Sequence, residues 1–187
     1  MKIGLAVTGS FCTLQNIIQV LKTIVEAGHD VTPIFSFNVS TLDTRFYKAT
    51  DFEKDVITLA GKHPIKTIVE AEPMGTSKAV DLLLVAPCTG NTLSKIANGI
   101  TDTPVTMAVK ATLRNNKPVV LSVSSNDSLG ANARNIGTLL NTRNVYFVPF
   151  GQDDHLKKPN SLIADTSLIL PTCQMALEGK QIQPLFS

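Results

Sequence analysis

The sequence has no tryptophan and few charged side chains, which account for 17% of its residues. Its basic residues are scattered, with no run longer than Lys157-Lys158, and the formal net charge is +2. This pattern argues against a nucleic-acid partner, because nucleic-acid-binding proteins cluster basic residues on one face. No apolar stretch approaches the roughly 20 residues that cross a bilayer, so we expect no membrane span. So few charges indicate instead that part of the surface is buried in an oligomer.

Cysteine is also scarce, and its occurrences are widely spaced. An odd number of thiols, at Cys12, Cys88 and Cys173, does not fit a disulfide framework and indicates a reducing compartment. The same spacing lacks the paired ligands of a metal centre, so no metal site is expected. The apolar start of the chain breaks at Thr8-Gly9-Ser10 and has no signal-peptide cleavage site. We therefore expect a cytoplasmic protein.

Apolar residues alternate between strand-like and helix-like spacing along the chain. The predicted strands are 3–7, 31–35, 66–69, 80–85, 117–123 and, as the last strand, 145–148. The predicted helices are 14–27, 50–59, 92–98, 102–114, 129–140 and 165–177. Strands that alternate with helices predict one α/β domain over residues 1–187, with a doubly wound parallel sheet. The polar stretch 149–164 is expected to be a mobile loop.

The most informative stretch is the apolar run 80–85 followed by Ala-Pro-Cys-Thr-Gly-Asn-Thr at 86–92. The run predicts a strand buried on both faces, and we expect Pro87 to end it because proline has no backbone N–H. A small, polar turn then leads into a helix that begins at about Thr92. Ligands of open α/β sheets bind in the crevice beyond the carboxyl ends of the strands. The turn therefore places hydroxyl and amide groups where a cofactor would bind.

A second polar turn, Thr8-Gly9-Ser10, links the first strand to the first helix. Its N–H groups and hydroxyls at a helix start favour an anion such as phosphate, although a plain turn is the alternative. Neither the dinucleotide pattern Gly-x-Gly-x-x-Gly nor a P-loop occurs, so a mononucleotide with one phosphate fits best. Ser36 and Asn38 end the second strand, where they either contact phosphate or a ribityl chain or simply form the turn.

Residues 80–99, continued by Ile100-Thr101-Asp102, resemble the core motif of the homo-oligomeric flavin-containing cysteine decarboxylases. The resemblance covers residues 1–148 and implies a Rossmann-like, three-layer flavoprotein fold, with trimers as the building unit of the oligomer. It also implies FMN between two subunits, with its phosphate near Gly9, Ser10 and Ser36. The predicted cofactor residues are Thr8, Gly9, Ser10, Ser36, Asn38, Cys88, Thr89, Asn91 and Thr92. Among them, Cys88 is interpreted as a small filler of the turn rather than a nucleophile.

The sequence departs from that family at two catalytic positions. Pro73 stands where the decarboxylases have a histidine, and Ser124-Ser125-Asn126 replaces most of their Pro-Ala-Met-Asn motif. Decarboxylation of a cysteine peptide or of its pantothenoyl counterpart is therefore not expected. The three residues that replace the motif are predicted instead to cap the following helix, where Asn126 would bind a carboxylate.

The C-terminal third, Gly151 to Leu162 with Ala164-Asp165, resembles the B subunits of dipicolinate synthases from spore-forming bacteria. This resemblance implies a part in oxidising dihydrodipicolinate in the mother-cell cytoplasm. It also implies an A-subunit partner that binds NAD or NADP. A planar dicarboxylate needs cationic partners, and Lys157 and Lys158 are candidates on a loop that could cover the site. A solvated pair of surface charges is the alternative.

Three functions remain open from the sequence. The first is an FMN-binding subunit that takes part in oxidation of dihydrodipicolinate. The second is a non-catalytic structural partner of the A subunit, because no residue stands out as a general base. The third is a flavin-modifying or decarboxylating flavoprotein, against which Pro73 counts.

Overall fold

A mostly parallel sheet forms the middle layer of the protein in a computed structural model that describes residues 1–76 and 79–186. In these residues the strands are β1 (Lys2–Val7), β2 (Asp30–Phe35), β3 (Leu82–Cys88), β4 (Val119–Ser125), β5 (Val145–Phe147), β6 (Phe150–Gly151) and β7 (Leu162–Ala164). The helices are α1 (Leu14–Glu26), α2 (Phe37–Thr41), α3 (Ala49–Ala60), α4 (Ile68–Ala71), α5 (Gly90–Ala97), α6 (Pro104–Arg114), α7 (Ala133–Leu140) and α8 (Ile169–Leu177).

The strand order explains both the layers and the position of the crevice. Parallel strands run β2-β1-β3-β4, and β5 pairs with the first half of β4. The chain thus moves one way from β1 to β2 and the other way from β3 to β4. Right-handed crossovers in opposite directions place α1 and α6 on opposite faces. The doubly wound α/β prediction is confirmed.

The core lies between the sheet and these helices. All residues of β3 are buried, as expected of a strand covered on both faces. The apolar face of α1 predicted from residues 14–24 is also buried, with Leu14, Ile17 and Leu21 among its members. No helix within the described ranges is long and apolar enough to cross a membrane.

The predicted strand 66–69 is wrong, because this stretch begins helix α4. Thr67 and Glu70 form a capping box, in which each side chain accepts a hydrogen bond from the backbone N–H of the other residue. Hydrogen bonds from the Thr67 hydroxyl and the Lys66 amide hold the pKa of Glu70 below its ordinary value. Only the preceding Ile65 bridges to the sheet, at Ile34.

The end of β3 and the position of the last strand also differ from the sequence prediction. Pro87 does not end β3, which continues to Cys88 after a shift in its register against β4. Residues 145–148 are not the last strand, because β6 and β7 follow as an antiparallel pair and β7 joins the far half of β4. Both added strands are too short to show a period in the sequence. They anchor the two ends of segment 149–164, and the mobility of the residues between them stays a prediction.

Candidate functional site

The polar turns after β1 and β3 meet at one edge of the sheet, where the strand connections diverge. This topological switch point is the usual ligand site of doubly wound folds. Thr8 Oγ1 joins the turns by donating to the carbonyl of Pro87 at 2.7 Å and accepting from the Thr89 N–H at 3.1 Å. Two adjoining depressions open there, and both are lined by Gly9 and Thr89.

The first depression, the β1–β3 cleft, has a volume of about 370 Å³. Its lining consists of Thr8, Gly9, Ser36, Phe37, Asn38, Thr89, Asn91, Thr92, Lys95 and Thr103. It therefore collects most of the side chains predicted to bind a cofactor, from the ends of three strands. This grouping could be predicted from the sequence, because the carboxyl ends of parallel strands lie at the same edge of the sheet.

The N-termini of helices α2 and α5 supply hydrogen-bond donors and hydroxyl groups to this cleft. Ser36 caps α2 by accepting from the Val39 N–H at 3.5 Å, and Thr89 caps α5 by accepting from the Thr92 N–H at 3.4 Å. The first N–H groups of a helix lack partners within the helix and carry partial positive charge. Gly9 leads directly into the 3-10 turn Phe11–Thr13 that precedes α1. The donors of the cleft fit a phosphate and a hydroxylated chain.

Lys95 is a cleft residue that the sequence prediction missed. Its Nζ lies 2.9 and 2.8 Å from the two carboxylate oxygens of Asp102, and its side chain is 22% exposed. Hydrogen bonding from Lys95 lowers the pKa of Asp102. Asp102 lies seven positions after Lys95 and beyond the end of α5, so the pair lacks the i,i+3 or i,i+4 spacing of an ion pair within a helix.

The second depression, the β4 cavity, has a volume of about 630 Å³. It is lined by Gly9, Ser10, Phe11, Cys12, Thr13, Arg45, Phe46, Thr89, Gly90, Ser124, Ser125, Asn126, Asp153, Lys158, Ser161 and Ile163. Ser10 lines this cavity and not the β1–β3 cleft, because its hydroxyl hydrogen-bonds to that of Ser124 at 2.8 Å. Ser10 and Ser36, which the resemblance groups around a phosphate, thus line different depressions, and contact of Ser10 with the phosphate stays a prediction.

The loop after β6 closes one side of the β4 cavity. Lys158 Nζ bonds Asp153 Oδ2 at 2.8 Å, and Ser161 Oγ lies 3.5 Å from Asn126 Oδ1. Hydrogen bonds from Lys158 and then Ser161 lower the pKa of Asp153. Pairing of β7 with β4 brings this loop to the cavity, so Asn126 and Lys158 do meet there. Lys157 is exposed and lines neither depression.

A polar network packs behind Gly90, which lines the β4 cavity. Asp127 accepts from Ser125 Oγ at 2.6 Å and from Asn132 Nδ2 at 2.8 Å, and Asn132 accepts from Asn135 at 2.9 Å. A β-carbon on Gly90 would lie 2.5 Å from Ser125 Oγ, so a larger residue would have to displace side chains of this network where α5 begins. The sequence prediction assigned no role to Asp127 or Asn132.

Cys88 lies beneath the turn and lines neither depression. Its side chain is wholly buried, and desolvation raises the pKa of its thiol to about 12. The thiolate needed for nucleophilic chemistry is therefore unfavourable at neutral pH. Burial and pKa fit the interpretation of Cys88 as a small filler, and contact with a cofactor stays a prediction.

The three thiols differ in burial, so a thiol reagent can distinguish them. Burial also raises the pKa of Cys173 to about 12, whereas Cys12 is exposed at the β4 cavity. We expect Ellman's reagent at pH 8 to label one thiol in the native protein and all three in denaturant. The variant Cys12→Ser should lose the native reaction, and rapid labelling of two native thiols would contradict this burial.

Comparison with known proteins agrees with this fold. Residues 1–167 match the Flavoprotein family. The chain is 45% identical over 184 residues to the B subunit of dipicolinate synthase from Bacillus subtilis, covering 98% of this chain and 92% of that protein. The chain belongs to the Flavoprotein family, among the dipicolinate synthase B subunits.

Two solved structures of flavoproteins extend the comparison. The dipicolinate synthase B subunit from Bacillus halodurans C superposes with a TM-score of 0.91 and 42% identity, covering 100% of this chain and 95% of that one. SpaF, described as an FMN-dependent cysteine decarboxylase, gives a TM-score of 0.71 at 17% identity, covering 96% and 97%. The second likeness shows the flavoprotein fold alone.

Proposed function

We propose that this protein is the FMN-binding subunit of a dipicolinate synthase and takes part in oxidising dihydrodipicolinate during sporulation. The observation that carries the proposal is the β1–β3 cleft, whose hydroxyls, amides and helix starts converge at the switch point of a flavoprotein fold. The identity of 45% to a dipicolinate synthase B subunit supports the reaction. Nothing in this cleft requires a second phosphate, which favours FMN over FAD.

The residues of the cleft fit FMN group by group. Ser36, Asn38 and the backbone at Gly9 would hold the phosphate, since they combine a hydroxyl, an amide and helix N–H groups. Asn91 and Thr92, on the first turn of α5, would contact the ribityl chain and the polar rim of the flavin. When bound, FMN would supply an acceptor for the two electrons released by the oxidation.

The β4 cavity adjoins this cleft and would hold the dicarboxylate. Ser124 and Asn126 supply neutral donors, and Lys158 supplies a cation that is held in place by Asp153. Oxidation of dihydrodipicolinate produces an aromatic ring and is favourable, so the protein chiefly has to bind and orient the substrate. Binding by Lys157 stays a prediction, and its position outside the cavity makes Lys158 the better candidate.

Two kinds of protein partner belong to this function. The first is an A subunit carrying NAD or NADP, as the name of the Bacillus subtilis relative implies a companion subunit. The second is further copies of this chain, built on trimers. An apolar groove of about 360 Å³ between α5 and α6, lined by Ile96, Ile100, Val109 and Leu113 among others, supports a buried contact between copies.

Flavin titration of the purified chain tests the proposal. We expect the fluorescence of FMN to be quenched when it binds. Its dissociation constant should be at least about tenfold below that of FAD, because the proposed site accommodates one phosphate. Adding the FMN-loaded chain to the A subunit should then raise the rate of dipicolinate formation. Light scattering on the same samples should report an oligomer.

Three results would count against this proposal. Equal or tighter binding of FAD would remove the argument for a mononucleotide site. A stimulated A subunit without any flavin binding would favour the structural partner. A monomer mass at micromolar concentration would contradict the proposed assembly.

A further inference from the structure

The segment between α2 and α3 forms a fixed tip beside the β4 cavity. Thr44 Oγ1 accepts from the N–H groups of Phe46 and Tyr47, each at 3.2 Å, and the Thr44 N–H donates to the Tyr47 carbonyl at 3.0 Å. Asp43 Oδ1 accepts from the Ala49 N–H at 2.9 Å and so ties the tip to the start of α3. The turn is thus defined by its own hydrogen bonds.

Tyr47 fastens the same tip to the body of the protein. Its ring packs edge-on against the buried Phe52 at 5.3 Å between centroids, and its hydroxyl donates to Asp55. Burial and this carboxylate raise the pKa of Tyr47 to about 12, so the hydroxyl keeps its proton at physiological pH. The neighbouring side chains of the turn are therefore presented from a rigid base.

Arg45 and Phe46 are the side chains that this base presents. Both are exposed, both line the β4 cavity, and the Arg45 Cζ atom lies 4.7 Å from the centroid of the Phe46 ring. An exposed phenylalanine held in a fixed turn leaves apolar surface in water unless a partner covers it. The guanidinium lies over one face of the Phe46 ring, and a planar ring is the partner that best matches the other face.

The charge of the cavity points to an anion. Its charged lining residues within the described ranges are Arg45, Asp153 and Lys158. Lys158 and Asp153 neutralise each other at 2.8 Å, whereas none of the described carboxylates lies within 4.0 Å of the Arg45 guanidinium. Arg45 is therefore the lining cation that has no carboxylate partner among the described residues, and its guanidinium geometry suits two parallel hydrogen bonds to a carboxylate.

We propose that Arg45 and Phe46 form the subsite for one carboxylate and the ring of a planar aromatic dicarboxylate in the β4 cavity. The guanidinium binds the carboxylate through two N–H groups, and Phe46 packs on the ring. Asn126 and Lys158, the latter still paired with Asp153, would contact the second carboxylate. This inference rests on the proposed function for the identity of the ligand. It assigns to Arg45 and Phe46 the recognition of a planar dianion.

Calorimetric titration with dipicolinate, the stable product, tests the subsite on the full chain saturated with FMN. We expect Arg45→Gln to weaken dipicolinate binding about tenfold or more, since it removes a charge-assisted bidentate contact. Arg45→Lys should recover only part of the affinity, because an ammonium cannot form the paired contact. Phe46→Ala should also weaken binding. The matched control, Arg143→Gln, removes an exposed arginine from the turn before β5 and should bind dipicolinate like the parent.

Separate flavin titrations of each variant distinguish the ligands. Unchanged FMN affinity with weakened dipicolinate binding in Arg45→Gln supports the subsite. Parental dipicolinate binding in Arg45→Gln overturns it, and so does a variant that loses affinity for FMN alone. If the parent binds no FMN, the proposed function fails, and the same comparison in the flavin-free chain still decides the role of Arg45.

Discussion

Replacing Gly75 with alanine should lower the melting temperature by about 6–12 °C, which corresponds to about 3 kcal/mol of unfolding free energy. Gly75 is buried in the 3-10 turn Glu72–Gly75, which packs on α6. A β-carbon there would overlap the backbone carbonyl of Ala111 and would lie 2.6 Å from Asn115 Nδ2. Because the obstacle is helix backbone, the strain is relieved only if the turn and α6 move apart.

Gly137→Ala provides the matched control for this thermal denaturation experiment. Gly137 lies on the exposed side of α7, and nothing lies within 4 Å of a β-carbon built there. Alanine at that position should stabilise the protein by about 0.5–1 kcal/mol, because glycine loses more backbone entropy in a helix. Equal melting temperatures for the two variants would show that the turn at Gly75 adapts without cost.

Ser36→Asp should weaken FMN binding about a hundredfold, by placing a fixed negative charge beside the proposed phosphate. Ser36 lines the β1–β3 cleft and caps α2, and aspartate is as good a helix cap as serine. The substitution therefore changes the charge of the cleft while preserving the local fold. Flavin fluorescence titration measures the effect directly, and circular dichroism confirms that α/β structure is retained.

Ser36→Asn separates charge from shape in the same experiment. Asparagine also caps helices well and is close in size to aspartate, but it carries no charge. We expect its FMN affinity to remain within a few-fold of the parent. An equal loss of affinity in the two variants would mean that charge is not the cause and that the phosphate lies elsewhere. Parental affinity in Ser36→Asp would exclude this cleft as the phosphate site.

Local sequence patterns predicted the sheet and the helices that pack on it, because such patterns depend only on which residues are buried. A fully apolar strand at 80–85 and an amphipathic helix from Leu14 can be recognised without knowing their neighbours. Residues 66–69 do carry a local helix signal, since Thr67-Ile68-Val69-Glu70 has the capping-box pattern that starts α4. Apolar residues in so short a segment fit a strand and a helix equally well.

Partners across long sequence separations could not be predicted in this way. The resemblance groups Ser10 with Ser36 around a phosphate and gives no sign that the Ser10 hydroxyl hydrogen-bonds to that of Ser124, which lies 114 positions away. The sequence does not distinguish Lys157 from Lys158, whereas in the structure only Lys158 lines the cavity. Each outcome depends on how distant segments pack.

The sequence by itself determined that polar turns after β1, β2 and β3 would gather at one edge of a parallel sheet, since strand ends share that edge whatever their side chains contact. The tertiary structure alone decided which side chains face which depression. It brought the tip with Arg45 and Phe46 to the β4 cavity and paired Lys158 with Asp153. The physical reason is that burial of one face of a helix or strand produces a regular spacing of apolar residues in the sequence. The direction and partners of a polar side chain depend on contacts with distant residues, which produce no such spacing.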